Sequence, residues 1–153
     1  MQTPKIILKQ GSISLLMCLM NQIPEFDFYP HKPKFNEEYI TQTLKGKSYL
    51  LLIAWVNDEP AGFKLGYRRW GKLTLYSWLG GVLPQYRRLG IAKLLANEQE
   101  AWARTKGYKR IIFKSRNRFT NMLLFALNNG FNFIKVEKAD MLADYRLYLQ
   151  KSL

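Results

Sequence analysis

Ser77-Trp78-Leu79-Gly80-Gly81-Val82-Leu83-Pro84-Gln85-Tyr86-Arg87-Arg88-Leu89-Gly90-Ile91-Ala92 is the stretch on which the fold of this chain turns. Its period changes midway. From Leu73 to Leu83 the run is hydrophobic and β-rich, whereas Leu89, Ile91, Leu94, Leu95, Ala101 and Trp102 recur at helical spacing up to Lys106-Gly107, where a glycine stands as a C-cap. A strand therefore feeds directly into a helix. Gly80-Gly81 weakens the strand near its end, marking either a bulge or a place where something approaches the backbone closely. Pro84 has no N–H and ends the pairing. Arg87 to Ala92 then offers consecutive backbone N–H groups at the positive end of a helix dipole, where Gly90 and the small Ala92 leave room for an anion and Arg87 and Arg88 add charge. The same residues also read as solvated arginines before a helix that opens with glycine. Their placement between a strand and a helix favours the anion site.

Outward from this stretch the other elements fall into a simple order. Tyr49 to Val56 and Ala61 to Tyr67 are β-rich runs joined by Asn57-Asp58-Glu59-Pro60, and Arg68 to Lys72 is a second turn, so three antiparallel strands in a row are expected. Before them, Ile6 to Lys9 suits a short strand, Gly11-Ser12 introduces a helix from Ile13 to Gln22, and Pro24 stops it. Glu25 to Asn36, with Pro30 and Pro33 and several aromatics, reads as an ordered irregular loop, and Glu37 to Leu44 as a short helix. On the other side, Arg110 to Lys114 is a strand, which makes Leu73 to Lys114 a crossover unit with parallel strands. Arg118 to Asn129 is a helix closed by Gly130, and Phe131 to Val136 and about Leu142 to Leu149 supply two last strands. Without repeats, low-complexity tracts or linker-like stretches, residues 1–153 read as a single domain.

The formal charge of +13, from 24 basic and 11 acidic residues, favours polyanionic partners: nucleic acid, an anionic membrane surface or a phosphate-rich cofactor. The apolar run Ile13 to Met20 is far shorter than the roughly 20 residues a membrane helix needs. No cleavage pattern follows it, so neither a signal peptide nor a membrane partner is expected. Cys18, the only cysteine, cannot form an intrachain disulfide, which fits a cytoplasmic protein. In an apolar helical run with no basic neighbour, it reads as a buried small hydrophobe rather than an acyl-carrying nucleophile. With His31 as the only histidine, and read as a surface residue, no metal site and no His-based triad are expected.

Arg87, Gly90 and Ala92 match a Gln/Arg-x-x-Gly-x-Gly/Ala turn, and the later helix ends in Gly130-Phe131. On these residues, and on the order of elements over nearly the whole chain, the sequence resembles the GNAT N-acetyltransferase superfamily. The resemblance implies an α/β fold with a mixed, mostly antiparallel sheet of about six to seven strands flanked by about four helices, with a parallel splayed strand pair around the cofactor-binding helix. It implies an N-acetyltransferase that uses acetyl-CoA as acyl donor. The acceptor would be a primary amine of a small molecule, a peptide N-terminus or a lysine, attacking directly in a ternary complex. Arg87, Arg88, Leu89, Gly90, Ile91 and Ala92 would hold the pyrophosphate, and Leu79, Gly80, Gly81 and Val82 would pair with the pantetheine arm. An asparagine at the start of the next helix would touch the cofactor, matched by Asn117 or Asn121, with Asn117 equally readable as a plain N-cap.

One departure bears on mechanism. The position four residues before Gly130, where many members carry a tyrosine that protonates the leaving thiolate, is Ala126, preceded by Phe125. A base for the acceptor amine would come from a carboxylate or a water chain, with Glu25 and Asp27 as candidates in the loop that lines the acceptor side in the family. Tyr76, Ser77, Tyr145 and Tyr148 are candidates to orient the acceptor or donate a proton, or are core and rim residues with no such role. A backbone N–H near Val82 would face the developing oxyanion. Two other readings stay open. One is a basic nucleic-acid-binding protein, on Arg68, Arg69, Trp70, Lys72, Lys109, Arg110, Lys114, Arg116 and Arg118. The other is a catalytically silent acyl-CoA-binding protein. The aromatics Phe26, Phe28, Tyr29 and Phe35 shape an acceptor pocket or cover the core, and a monomer and a homodimer are both compatible with the sequence.

Overall fold

The computed structural model describes residues 2–27 and 35–153, so the expectations for Phe28, Tyr29 and His31 concern positions outside the described residues. The described residues form seven strands and four α-helices in the order β1 (Ile6–Gln10), α1 (Ile13–Met20), α2 (Glu37–Leu44), β2 (Tyr49–Val56), β3 (Glu59–Arg68), β4 (Thr74–Val82), α3 (Ile91–Thr105), β5 (Arg110–Arg116), α4 (Thr120–Asn128), β6 (Asn132–Glu137) and β7 (Arg146–Ser152). They form one mixed sheet in the order β1-β2-β3-β4-β5-β7-β6. Strands β4 and β5 run parallel, and their register covers Thr74–Tyr76 against Arg110–Ile112 while β4 continues to Val82. The expected fold class and the parallel pair around the helix are both present.

Local chemistry explains most element ends. The Ser12 side chain accepts from the Leu15 N–H and the Asn36 side chain from the Tyr39 N–H at 2.7 Å, capping α1 and α2. The hairpin between β2 and β3 is tighter than its sequence suggests: Asn57 and Asp58 alone make the turn, at φ 47° and 68°, the twist that suits a two-residue hairpin. Pro60 sits inside β3 opposite Trp55, at a register shift that accommodates its missing N–H.

Several expectations need correction. The last strand starts at Arg146 rather than near Leu142, because Leu142–Asp144 closes a 3₁₀ turn first. Pro24–Asp27 is likewise a 3₁₀ turn rather than irregular loop. The capping position of α4 is Phe119, with no side-chain cap, so Asn117 is not an N-cap. Cys18 is exposed, not buried: α1 is apolar nearly all round, but only Leu16, Leu19 and Met20 face inward. In α3 the buried face runs through Ile91, Leu95, Ala96, Gln99, Glu100 and Ala103. That leaves Leu89, Leu94 and Ala101 of the expected stripe exposed, because two polar residues that a hydrophobic pattern skips occupy the inner face.

The chain divides into two compact units, Met1–Tyr67 with Leu79–Gln99, and Arg68–Trp78 with Glu100–Leu153. In the first, Leu16, Leu19, Ile40, Ile53, Phe63, Leu65, Ile91 and Leu95 are fully buried. In the second, Leu75, Ala103, Tyr108 and Ile111 form one cluster, and Ala126, Leu147 and Leu149 another, with Phe131 packed against both. Among the described residues, no helix is long and apolar enough to cross a membrane.

Candidate active site

In the first unit, β4 ends beside β3. The last bond is from the Leu83 N–H to the Ala61 carbonyl at 2.8 Å, after which Pro84–Tyr86 turns the chain toward α3. Gly62 and Gly81 permit this close pairing: a Cβ on Gly62 would lie 2.8 Å from the Gly81 carbonyl oxygen, and one on Gly81 2.7 Å from the Ile23 side chain. Of the two meanings open for Gly80-Gly81, close approach is what the structure shows at Gly81, and the approaching groups are Ile23 and Phe63 of the chain itself. Leu79 is buried, while Gly80 and Val82 are half-buried.

Between the 3₁₀ turn and α3 the backbone turns left-handed twice, at Arg88 (φ 68°) and Gly90 (φ 80°). Glycine adopts this region freely and arginine does not, so Arg88 carries backbone strain of order 1 kcal/mol that its surroundings must hold. Two contacts of Arg87 brace the turn: its Nε donates to the Val82 carbonyl at 3.1 Å, and its Nη2 lies 3.0 Å from a Glu25 carboxylate oxygen. The first amides of any α-helix have no carbonyl a turn earlier to bond. In α3 that first turn contains Lys93 and no acidic side chain, so nothing in it offsets the positive end of the helix. At Gly90, the residue itself and its two chain neighbours aside, no atom of the described residues lies within 4 Å of the place a Cβ would occupy. The arrangement fits a phosphate group: open space, left-handed backbone, helix amides and the exposed Arg88.

Arg87 departs from its expected part. Its charge is neutralised by Glu25, so the free charge on the turn falls to Arg88. The guanidinium hydrogen bond, above all, holds the Glu25 carboxyl below the usual carboxylate range, against a smaller opposing effect of burial. That is the wrong direction for a base poised near neutral pH.

The remaining candidates lie in the second unit. The Asn117 side chain donates to the Leu142 carbonyl at 2.8 Å, tying the end of β5 to the 3₁₀ turn before β7, whereas Asn121 is exposed on the first turn of α4. Ala126 is buried against Leu147 and Leu149, so a tyrosine at this position would have to enter the core. Tyr76 is buried, with its ring centroid 5.1 Å from that of Trp70. Of the basic set that suggested nucleic acid, three are engaged internally: Arg110 donates to the Thr74 hydroxyl, Arg116 to the Asp144 carbonyl, and Arg118 to the Asp144 carboxylate at 2.6 Å.

Sequence reading placed Arg69, Trp70 and Lys114 in a basic set and Tyr76 and Tyr148 among acceptor-side candidates, but did not join the two groups into one cluster. The Lys114 ammonium lies 5.5, 5.4 and 5.1 Å from the ring centroids of Trp70, Tyr76 and Tyr148. Burial first, and then the positive charges of Arg69 and Arg146, push its pKa down to about 8. The Tyr148 hydroxyl donates to Glu137; burial and that carboxylate raise the phenol's pKa, and the bond lowers that of Glu137. The alternation of β4, β5 and β7 could have placed these side chains on one face had their register been known.

The fold and the braced turn before α3 lead to the class. The Acetyltransferase (GNAT) family profile matches residues 17–131, and the chain belongs to that family. A thialysine N-epsilon-acetyltransferase from Caenorhabditis elegans is 27% identical over 104 residues, covering 63% of this chain and 62% of the relative. The chain therefore matches less than two thirds of that relative's length. Among solved structures, the ribosomal-protein-S18-alanine N-acetyltransferase from Escherichia coli superimposes with a TM-score of 0.78 at 12% identity, over 97% of this chain and 94% of the other. A GNAT family acetyltransferase from Elizabethkingia anophelis with acetyl-CoA bound superimposes with a TM-score of 0.74 at 19% identity, over 97% and 98%.

Proposed function

We propose that this chain transfers an acetyl group from acetyl-CoA to a primary amine, by direct attack of the amine within a ternary complex. The observation that carries this reading is the left-handed turn opening α3, with open space at Gly90 and helix amides behind it. Family membership and a structural neighbour with acetyl-CoA bound support it. The acceptor class rests on the name of the curated relative, which specifies an N-epsilon amine.

Each residue then has a stated part. The amides of Leu89, Gly90, Ile91 and Ala92 hold the pyrophosphate, and Arg88 adds the free charge. Arg87 holds the turn to β4 through the Val82 carbonyl, with Glu25 fixing its guanidinium. Leu79 to Val82 present backbone groups to the pantetheine arm, an N–H near Val82 faces the negative charge that grows on the thioester oxygen, and Asn117 or Asn121 contacts the cofactor. Acetyl-CoA supplies the activated acyl group. Because Ala126 supplies no hydroxyl, Tyr76 is the candidate to protonate the departing thiolate. Glu25, ionised but of low basicity, is kept as a base only for an amine that arrives already largely neutral.

Release of free thiol from acetyl-CoA, measured with a panel of primary amines that includes thialysine, lysine, polyamines and a peptide N-terminus, tests the proposal. Amine-dependent release with matching N-acetylated product is expected. Tight acetyl-CoA binding with no product from any amine would convert the reading to a silent acyl-CoA-binding protein.

A further inference from the structure

Arg69 and Lys114 converge on the same two aromatic rings. The Arg69 guanidinium carbon lies 4.5 Å from the centroid of Trp70 and 5.2 Å from that of Tyr76, and the Lys114 ammonium lies 5.5 and 5.4 Å from the same centroids. Two like charges gathered this closely repel. The carboxylates of this unit relieve them only in part: among the described residues, the ion pairs of Glu100, Asp144 and Glu137 go to Arg104 and Lys151, to Arg118, and to Lys135, and the favourable effect of Glu137 on Lys114 is smaller than the opposing ones of Arg69 and Arg146. The other charged and titratable groups facing Lys114 are Arg146 and Tyr148 from β7, and Lys135 and Glu137 from β6. They add two cations and one anion, and that anion already accepts from Tyr148.

Trp70 adds an independent sign of a built site. It is held at φ 59° in the β3–β4 turn, a conformation that a bulky side chain rarely adopts, yet the residue is 45% exposed. Strain is thus maintained to keep a largely accessible indole over Tyr76 and beside two cations. The cluster is local. Arg110, Arg116 and Arg118, which would extend it into a track for a polyanion, are bonded within the protein.

We propose that Arg69 and Lys114, with the rings of Trp70, Tyr76 and Tyr148, form a binding site for a small organic anion, a carboxylate carried on a flat apolar body. The carboxylate lies between the two cations and its body against the exposed indole face. Anion binding favours charged Lys114, so it weakens as pH rises through about 8.

Calorimetric titration of the whole chain with phenylacetate, and with phenylacetamide as its neutral counterpart, tests the site. Phenylacetate is expected to bind saturably and phenylacetamide not. Arg69→Gln and Lys114→Gln should each weaken phenylacetate binding about tenfold, and Lys114→Arg should keep it and abolish its decline at alkaline pH. Four results overturn the proposal: no saturable phenylacetate binding up to about 10 mM; equal binding of phenylacetamide; undiminished binding by a folded Arg69→Gln/Lys114→Gln double variant; or a thymidine oligonucleotide that binds more tightly than phenylacetate and loses binding in that variant, which would assign the cluster to nucleic acid.

Discussion

Arg87 shows how far a single side chain can differ from its sequence reading while the motif around it holds. The position was expected to lend charge to an anion, but the guanidinium is spent on Glu25 and the Val82 carbonyl. Both partners of the ion pair are about half exposed, so it contributes at most about 1 kcal/mol. The sign with pH follows from the lowered Glu25 pKa: the contribution is present above the ordinary carboxylate value of 4.5 and is lost as pH falls through the folded value. Thermal melts of native protein and Glu25→Gln should therefore differ slightly at neutral pH and converge in acid. Lys114 contributes a cost rather than a gain, although stability again rises with pH. Its pKa is depressed from 10.5 to about 8, so the cost of holding it charged is full below about pH 8 and fades as pH rises toward 10.5. Stability measured by denaturant titration should gain from this source across that window, and Lys114→Met should remove the gain.

At the scale of elements, period and capping made most of the fold legible. The switch from a β-rich run to helical spacing near Pro84 located β4 and α3, and Ser12, Gly107 and Gly130 marked helix ends correctly, the glycines at φ 83° and 87°. What stayed hidden depends on tertiary packing. No pattern of apolar residues reveals that Gln99 and Glu100 lie on the inner face of α3, or that Cys18 lies on the outer face of α1. The left-handed turn before α3 was legible as a candidate because its residues are contiguous. The Arg69 and Lys114 cluster was not, because its members come from a turn and three strands. The buried polar residues of α3 give two tests. Among the described residues the Gln99 side-chain nitrogen has no hydrogen-bond partner, so Gln99→Met should stabilise the protein, by about 1 kcal/mol in denaturant unfolding. Lys151 lies 2.8 Å from the mostly buried Glu100 carboxylate, and Lys151→Met, which leaves that charge only the longer 3.7 Å pair with Arg104, should cost about 2 kcal/mol.

For the whole molecule, the two compact units are not joined by linkers. The chain passes between them three times: at the end of β3, at Tyr67 and Arg68, inside β4, at Trp78 and Leu79, and inside α3, at Gln99 and Glu100. Strands and helices lose their hydrogen bonding cooperatively, so we propose that residues 1–153 unfold as one domain. Differential scanning calorimetry should show a single transition whose calorimetric and van't Hoff enthalpies agree, and two resolved transitions would refute this. The central claim is that the turn opening α3 binds the acetyl donor, and titration calorimetry with acetyl-CoA tests it most directly. Native protein and Gly90→Asn, which tolerates left-handed backbone without adding charge, should both bind, while Gly90→Glu, folded by circular dichroism, should not. Absence of binding by the native protein, or undiminished binding by Gly90→Glu, would contradict the account.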